Sequence, residues 1–481
     1  MHLFRRYCVK NPRNASVLLR FFSLSRRKIR YFYMSQSTRN TTLERGRAMQ
    51  EAEAKKTNAT GGGEREQSWL KKLGPGLITG AADDDPSGIA TYSQAGAQFG
   101  FGMLWTILFT YPLMVGIQII SAKIGSVSGH GLATNIRKHY PRWLLYSIIS
   151  LLLVANIINI AADVAAMGAA LKLLVDGPAH LFALGFGLLS VVLQVFLPYH
   201  RYVRILKWLT LVLLAYFATA MVVHIPWLTV LRNTVMPTFN WTPAYITTMV
   251  AVFGTTISPY LFFWQASQEV EDMNADPDAC ALKEAPEKAD ASFRRIKLDT
   301  FIGMGFSNLV AFFIILTTAV TLHAHGVTQI DTAAQAASAL KPIAGEFAFV
   351  LFSVGIIGTG LLAIPVLAGS AAYAISGAFQ WKNSLSAQPA MAKKFYAIIV
   401  LATLIGVALC FTKIDPIKAL YWSAVINGVI SVPIMVVMML MAARADIMGK
   451  LVISRRLSVL GWLCTAAMGA AVLAMLYTMR G

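Results

Sequence analysis

The sequence predicts an all-α polytopic membrane protein. Three observations carry that class. Of 481 residues, 56% are hydrophobic and only 14% charged, whereas soluble globular chains are about a quarter charged. Eleven stretches are each long and apolar enough to approach the ~20 residues that cross a bilayer as a helix. The charges between them alternate in number from one loop to the next. An ordinary soluble enzyme of several domains is excluded, and so is disorder, which needs low hydrophobicity.

The net charge of +19 is unevenly spread. Residues 1–72 hold 17 Lys and Arg against 5 Asp and Glu, so most of the excess sits on a polar tail. A nucleic-acid-binding protein would not carry the apolar bulk that follows, and no nucleic-acid partner is expected. Residues 1–43 lack Asp and Glu, and Arg26, Arg27, Lys28 and Arg30 are flanked by Phe21, Phe22, Tyr31, Phe32 and Tyr33. That composition suits a targeting peptide or an over-extended start before Met34. The glycines at 61–63 read as a flexible linker. The whole of 1–72 is expected to be a disordered tail. Cys8, Cys280, Cys410 and Cys464 are too scattered for a zinc site or a disulfide framework.

In chain order the apolar stretches are 73–99, 103–124, 143–173, 180–198, 206–225, 244–268, 298–323, 346–376, 394–411, 417–441 and 457–478. The third and eighth are long; the fourth and ninth are short. Backbone polar groups in lipid must be satisfied within the segment, so each is expected to be helical. With the N-terminus inside, the inward loops hold 19 Lys and Arg, from Lys123 to Arg456, and the outward ends hold 6. This is the positive-inside distribution, and a wrong span count would scramble it. It places the C-terminus outside.

The first stretch contains Gly74-Pro75-Gly76, then Asp83-Asp84-Asp85-Pro86-Ser87-Gly88. Each Asp at a helix centre costs roughly 2.5–3.5 kcal/mol on insertion scales, so lipid exposure of three is untenable. Successive residues step by about 100° around a helix, so three neighbours cannot share a face. Pro86 crowds the preceding turn and Gly88 tolerates almost any backbone geometry. An interrupted helix with carboxylates at the break is expected. The alternative, an extramembrane loop, would disturb the charge asymmetry. The sixth stretch has a similar feature, Thr255-Thr256-Ile257-Ser258-Pro259-Tyr260. Breaks five spans apart point to inverted repeats with a site between them at mid-bilayer.

The Gly74-Pro75-Gly76 start, Asp85-Pro86, and Gln94 to Gly100 together resemble the first span of NRAMP-type divalent-metal transporters. Ala162 to Gly168 is similar to that family's third-helix motif, and 255–260 falls where its sixth-helix motif lies. The resemblance spans roughly 73–445. It implies a LeuT-like fold, with inverted five-helix repeats over 73–240 and 241–445, helices 1 and 6 interrupted, and a last span in 446–481. It also implies uptake of a divalent cation (Mg2+, Mn2+ or Fe2+), with no cofactor. The chain is expected to be non-enzymatic and monomeric, in a bacterial inner membrane.

Several residues depart from the family pattern. Ser87 and Gly88 stand where the family motif has Gly and Asn. Ser258 and Tyr260 replace its sixth-helix Met and His, and Ala166 replaces a Glu common three residues beyond Asp163. Soft thioethers select softer metals, whereas hard oxygens suit Mg, Ca and Mn. Losing the Met therefore resembles the NRAMP-related magnesium-transporting branch. The first alternative is an ordinary proton-coupled Mn2+ or Fe2+ transporter; the second is a LeuT-fold carrier of an organic cation or amino acid.

Asp85 is expected as principal ligand, with the carbonyls of Ala82 and Thr255 and the Ser258 hydroxyl completing the shell. Pro86, Gly88 and Pro259 hold the breaks. Asp83 and Asp84 either attract the ion or make structural water and cap contacts. Asp163 is a relay or a structural hydrogen-bonding group. Asn156 and Asn159 line the cavity or join helices, Tyr260 lies on the path, and Gln265 and Glu269 line the exit. The acids at 269, 271, 272, 276 and 278 read as a solvated loop, and His323 and His325 as a wet helix end.

Overall fold

The computed structural model describes residues 75–197, 210–275, 279–385, 387–412 and 415–480. The tail 1–72, and with it Arg201, Arg204, Lys207, Asp276, Asp278 and Lys413, lies outside the described residues. Among the described residues there are helices and turns and no strand.

The first apolar stretch is split into α1 (Pro75–Asp83) and α2 (Pro86–Phe99). A short turn leads to α3 (Leu104–Ser128), α4 (Leu132–His139), α5 (Arg142–Lys172) and α6 (Ala179–Phe196). Next come α7 (Leu214–Val222) and α8 (Trp227–Val235). The sixth stretch is again split, into α9 (Pro243–Thr256) and α10 (Pro259–Ala275). The long α11 (Ala289–Thr321) follows, then the short α12 (Ala333–Ser338) and α13 (Lys341–Ala344). The chain continues through α14 (Ala348–Phe379), α15 (Lys393–Leu409) and α16 (Pro416–Ala442). It ends with α17 (Ala445–Met448) and α18 (Arg455–Thr478).

All eleven apolar stretches are helical where described. Among the described residues, eight helical segments are long and apolar enough to cross a membrane by length and composition. Two of the differences are structural: α2 and α3 run on through one tight turn, and α15 has 17 residues. The fifth stretch lies partly outside the described residues. The long third and eighth stretches are helices of 31 and 32 residues.

A helix that is apolar all round is a buried one, and the most apolar 18-residue window of the α9–α10 segment is entirely buried. Peripheral α6 instead exposes Leu181, Leu188, Leu189 and Val192, a surface suited to lipid. Inside lipid, helices associate through close packing at small residues. Gly254 on α9 is one such point: a Cβ there would sit 2.1 Å from the Ala424 carbonyl oxygen on α16. Gly80 on α1 is another, since a Cβ would sit 2.2 Å from the backbone of Gly303 on α11. Gly76, one turn earlier, donates its N–H to Asp299 Oδ2 on α11 at 2.6 Å. Thus α1 lies along α11 at backbone contact.

A polar chain ties α1 to α10 at the same end. The Thr79 hydroxyl donates to Gln265 Oε1, Gln265 Nε2 donates to Glu269 Oε1 at 3.1 Å, and Arg295 on α11 pairs with Glu269 Oε2. Glu269 is 2% exposed. Replacing Arg295 with Ala leaves that charge buried without its partner. A loss of about 3 kcal/mol is expected, the lower end for broken buried pairs because the guanidinium is partly exposed. Denaturant unfolding in micelles reads it; an unchanged midpoint would remove the pair from the fold's support.

Candidate metal-binding site

The first break is built by an N-cap. Asp85 is extended (φ −71°, ψ 169°), and its Oδ1 accepts the Gly88 N–H at 2.8 Å and the Ser87 hydroxyl at 2.6 Å. Asp and Ser favour such positions because their oxygens satisfy amides that the first helical turn leaves free. Pro86 follows at the first helical position, where no N–H is missed. Capping fixes the carboxylate's orientation: Oδ1 is held by α2, and Oδ2 points away from it. The Tyr260 hydroxyl, at the start of α10, lies 3.3 Å from Asp85 Oδ2 and 3.3 Å from the Ala82 carbonyl oxygen. With one proton it donates to only one of them at a time.

The second break answers the first. α9 ends at Thr256, and Pro259 opens α10. Ser258 Oγ lies 2.9 Å from the Gly254 carbonyl oxygen and 2.8 Å from that of Thr255, within reach of acceptors the helix end leaves open. The Thr255 hydroxyl is buried without a partner. A Cβ on Gly88 would sit 3.1 Å from it, so glycine lets the two breaks touch. The Tyr92 hydroxyl on α2 also meets Thr256 Oγ1 at 3.1 Å. Asp85 and Ser258 are 1% and 2% exposed. Two helix interruptions therefore face each other in the interior and offer oxygen only, from one carboxylate, hydroxyls and main-chain carbonyls.

Residues 76–478 match the model of the family described as natural resistance-associated macrophage protein-like, or Nramp. The chain belongs to the Nramp family. That family comprises transporters, not enzymes. The chain is similar to the divalent metal cation transporter MntH of Deinococcus radiodurans, at 27% identity over 404 residues, covering 82% of this chain and 86% of that protein. MntH of Klebsiella pneumoniae (strain 342) is 28% identical over 411 residues, covering 82% and 91%. In fold, the chain is similar to the manganese transporter of Eremococcus coleocola, at TM-score 0.65 and 18% identity, covering 87% and 88%. The Nramp chain thus has the LeuT-like all-helical architecture, with helices 1 and 6 interrupted.

The other residues singled out in the sequence are distributed around the breaks of this Nramp chain. Asp163, on α5, is fully buried and neither carboxylate oxygen has a hydrogen-bond partner. One turn back, Asn159 is buried with both side-chain polar atoms unpartnered. Asn156 joins helices, donating to Leu367 O at 2.8 Å and Ser370 Oγ at 2.7 Å on α14. α5 approaches the first break through Met167: a Cβ on Gly360 would meet both Met167 Sδ, at 2.5 Å, and Pro86 Cγ, at 3.4 Å. Gln265 and Glu269 lie in the polar chain that holds α1. Asp83 and Asp84 turn to α11, where Ser307 Oγ lies 2.6 Å from Asp83 Oδ2 and 3.0 Å from Asp84 Oδ1. His323 Nδ1 lies 2.8 Å from the Ala97 carbonyl oxygen.

Sequence reasoning missed Ser307, Tyr92 and Asn427. Asn427, on α16, is 1% exposed with both carboxamide atoms unpartnered. It precedes Gly428, where a Cβ would sit 2.8 Å from the Val250 carbonyl oxygen on α9. A polar residue in an apolar stretch was the available signal for Asn427. For Ser307 the signal lay in matched four-residue steps: Gly76, Gly80 and Asp84 on one segment, and Asp299, Gly303 and Ser307 on the other.

Proposed function

We propose that this chain is a secondary transporter carrying divalent metal cations across the membrane by alternating access, with the hard ions Mg2+ or Mn2+ favoured. The observation that carries this reading is the Asp85–Ala82–Tyr260 arrangement. One carboxylate oxygen and one carbonyl oxygen share a single hydroxyl at 3.3 Å. Moving that hydroxyl frees both oxygens for a cation. Thr255 and Ser258 add a carbonyl and a hydroxyl from the opposite break. A carrier must also release its ion. Among the described residues no three His, Cys, Asp or Glu side chains group into a metal cage. One charged ligand among neutral oxygens binds weakly enough to let go, and it suits Mg2+, which keeps part of its water shell.

The relatives named as divalent metal cation transporters support the substrate class. The loop charges support an N-terminus inside and a C-terminus outside, and the bacterial relatives support a bacterial plasma membrane, across which transport is proposed to run inward. Asp163, beside the first break, is a second charge near the path.

Selectivity tests the reading. Ser258→Met is expected to raise Mn2+ uptake relative to Mg2+ on the order of 10-fold in proteoliposomes, by supplying a thioether. An unchanged Mn2+/Mg2+ ratio would remove Ser258 from the ion's shell.

A further inference from the structure

Asp85 uses its carboxylate to cap α2 and to face Tyr260. Asp83 and Asp84 do neither. Asp83 closes α1 and Asp84 lies in the bend after it. At a helix end consecutive residues escape the 100° step, so both side chains turn to α11. They meet one hydroxyl, that of Ser307, at 2.6 and 3.0 Å. A serine has one proton and can donate to only one carboxylate at a time. Each carboxylate is 1% exposed, and the remaining oxygens, Asp83 Oδ1 and Asp84 Oδ2, are buried without any partner. The ion pairs of the described residues include neither Asp83 nor Asp84.

The backbone favours a cation at the same place. α1 ends here, so its last carbonyls lack intrahelical partners and its C-terminal end carries partial negative charge. A buried, unpaired carboxylate is costly, and two side by side more so. The position is nonetheless rigidly built. Gly80 against Gly303 sets α1 on α11 at backbone contact one turn before the carboxylates reach Ser307. The packing holds the two charges together; nothing in it spreads them apart.

We propose that Asp83, Asp84 and Ser307 form a second site for a hard divalent cation, separate from the Asp85 position and bridging α1 to α11. Two carboxylates match a 2+ charge, and an all-oxygen donor set matches Mg2+, Ca2+ or Mn2+. The unpartnered oxygens are the open ligand positions. The ion ties the broken helix to a continuous one, and the chain carries two divalent ions in tandem at one interruption. The choice of a divalent ion rests on the proposed transport function; the clustering of the three side chains does not.

Mn2+ is the probe, counted by equilibrium dialysis against purified full-length protein in micelles. Two Mn2+ per chain are expected. Asp83→Asn with Asp84→Asn, which keeps the shape and removes the charge, is expected to lose one and retain the other. Asp85→Asn is expected to lose the other. Ser307→Ala, a milder change, is expected to weaken one of the two sites on the order of 10-fold while both carboxylates remain. Elution of each variant at the wild-type volume on size exclusion shows that it is folded. One Mn2+ per chain, lost only in Asp85→Asn, would overturn the second site and leave the proposed transport site standing. One Mn2+ lost only in the double Asn variant would support the second site and overturn the Asp85 reading. No Mn2+ binding at all would overturn both.

Discussion

Asp85→Ala is expected to reduce divalent-metal uptake in proteoliposomes by at least about 100-fold, since even outer partners of metal ligands cost 10–100-fold. The carboxylate does two things with two oxygens. Oδ1 caps α2 through Gly88 and Ser87, and Oδ2 faces the Tyr260 hydroxyl beside the Ala82 carbonyl. Losing a cap costs about 1 kcal/mol, which a membrane protein of this size survives. Asp85→Asn separates the two roles, because an amide oxygen can still cap while the charge is gone. Both variants are expected to stop uptake, and only the Ala variant to lower the unfolding midpoint. Uptake by Asp85→Asn at the wild-type rate would mean that the charge is not a ligand.

Gly80→Ala is expected to be among the most damaging small changes. Its Cβ would lie 2.2 Å from the carbonyl carbon and oxygen of Gly303. Backbone on a neighbouring helix cannot swing aside as a flexible side chain can, so α1 must move. That movement breaks the Gly76–Asp299 bond and draws Asp83 and Asp84 away from Ser307. A destabilisation of about 3 kcal/mol is expected, the upper part of the usual cost of overpacking, together with loss of uptake. Gly185→Ala on α6 is the control, because no atom lies within 4 Å of the added carbon. Equal unfolding midpoints for the two variants would contradict the close packing of α1 on α11.

Much of this was legible because lipid leaves the chain few options. Apolar stretches had to be helices, and carboxylates next to proline had to interrupt one. Asp85-Pro86 and Ser258-Pro259 announced both breaks, since proline is best placed where a helix begins anew. Their spacing, five spans apart, pointed to a shared site, but the particular contacts between them were not legible. They depend on Thr255 reaching Gly88 and on Tyr260 reaching across to Asp85 and Ala82, which no local spacing encodes. The partner of Asp83 and Asp84 was signalled only by the matched four-residue steps at 76, 80, 84 and 299, 303, 307, which do not say that the two segments pack together. Ser307 lies more than two hundred residues away, on a helix where a serine in an apolar run is unremarkable. Spacing marked Gln265 and Glu269 as exit residues but could not show their partners, Thr79 and Arg295, through which they also hold α1 in place.

The most direct measurement is ion entry into proteoliposomes holding the wild-type protein, with Mg2+ and Mn2+ supplied separately and the internal pH recorded. Saturable Mg2+ entry is expected from the oxygen ligands around Asp85, and constant internal pH from Tyr260 and Ala166 standing where the family has His and Glu. Mn2+ entry with acidification and no Mg2+ entry would contradict it.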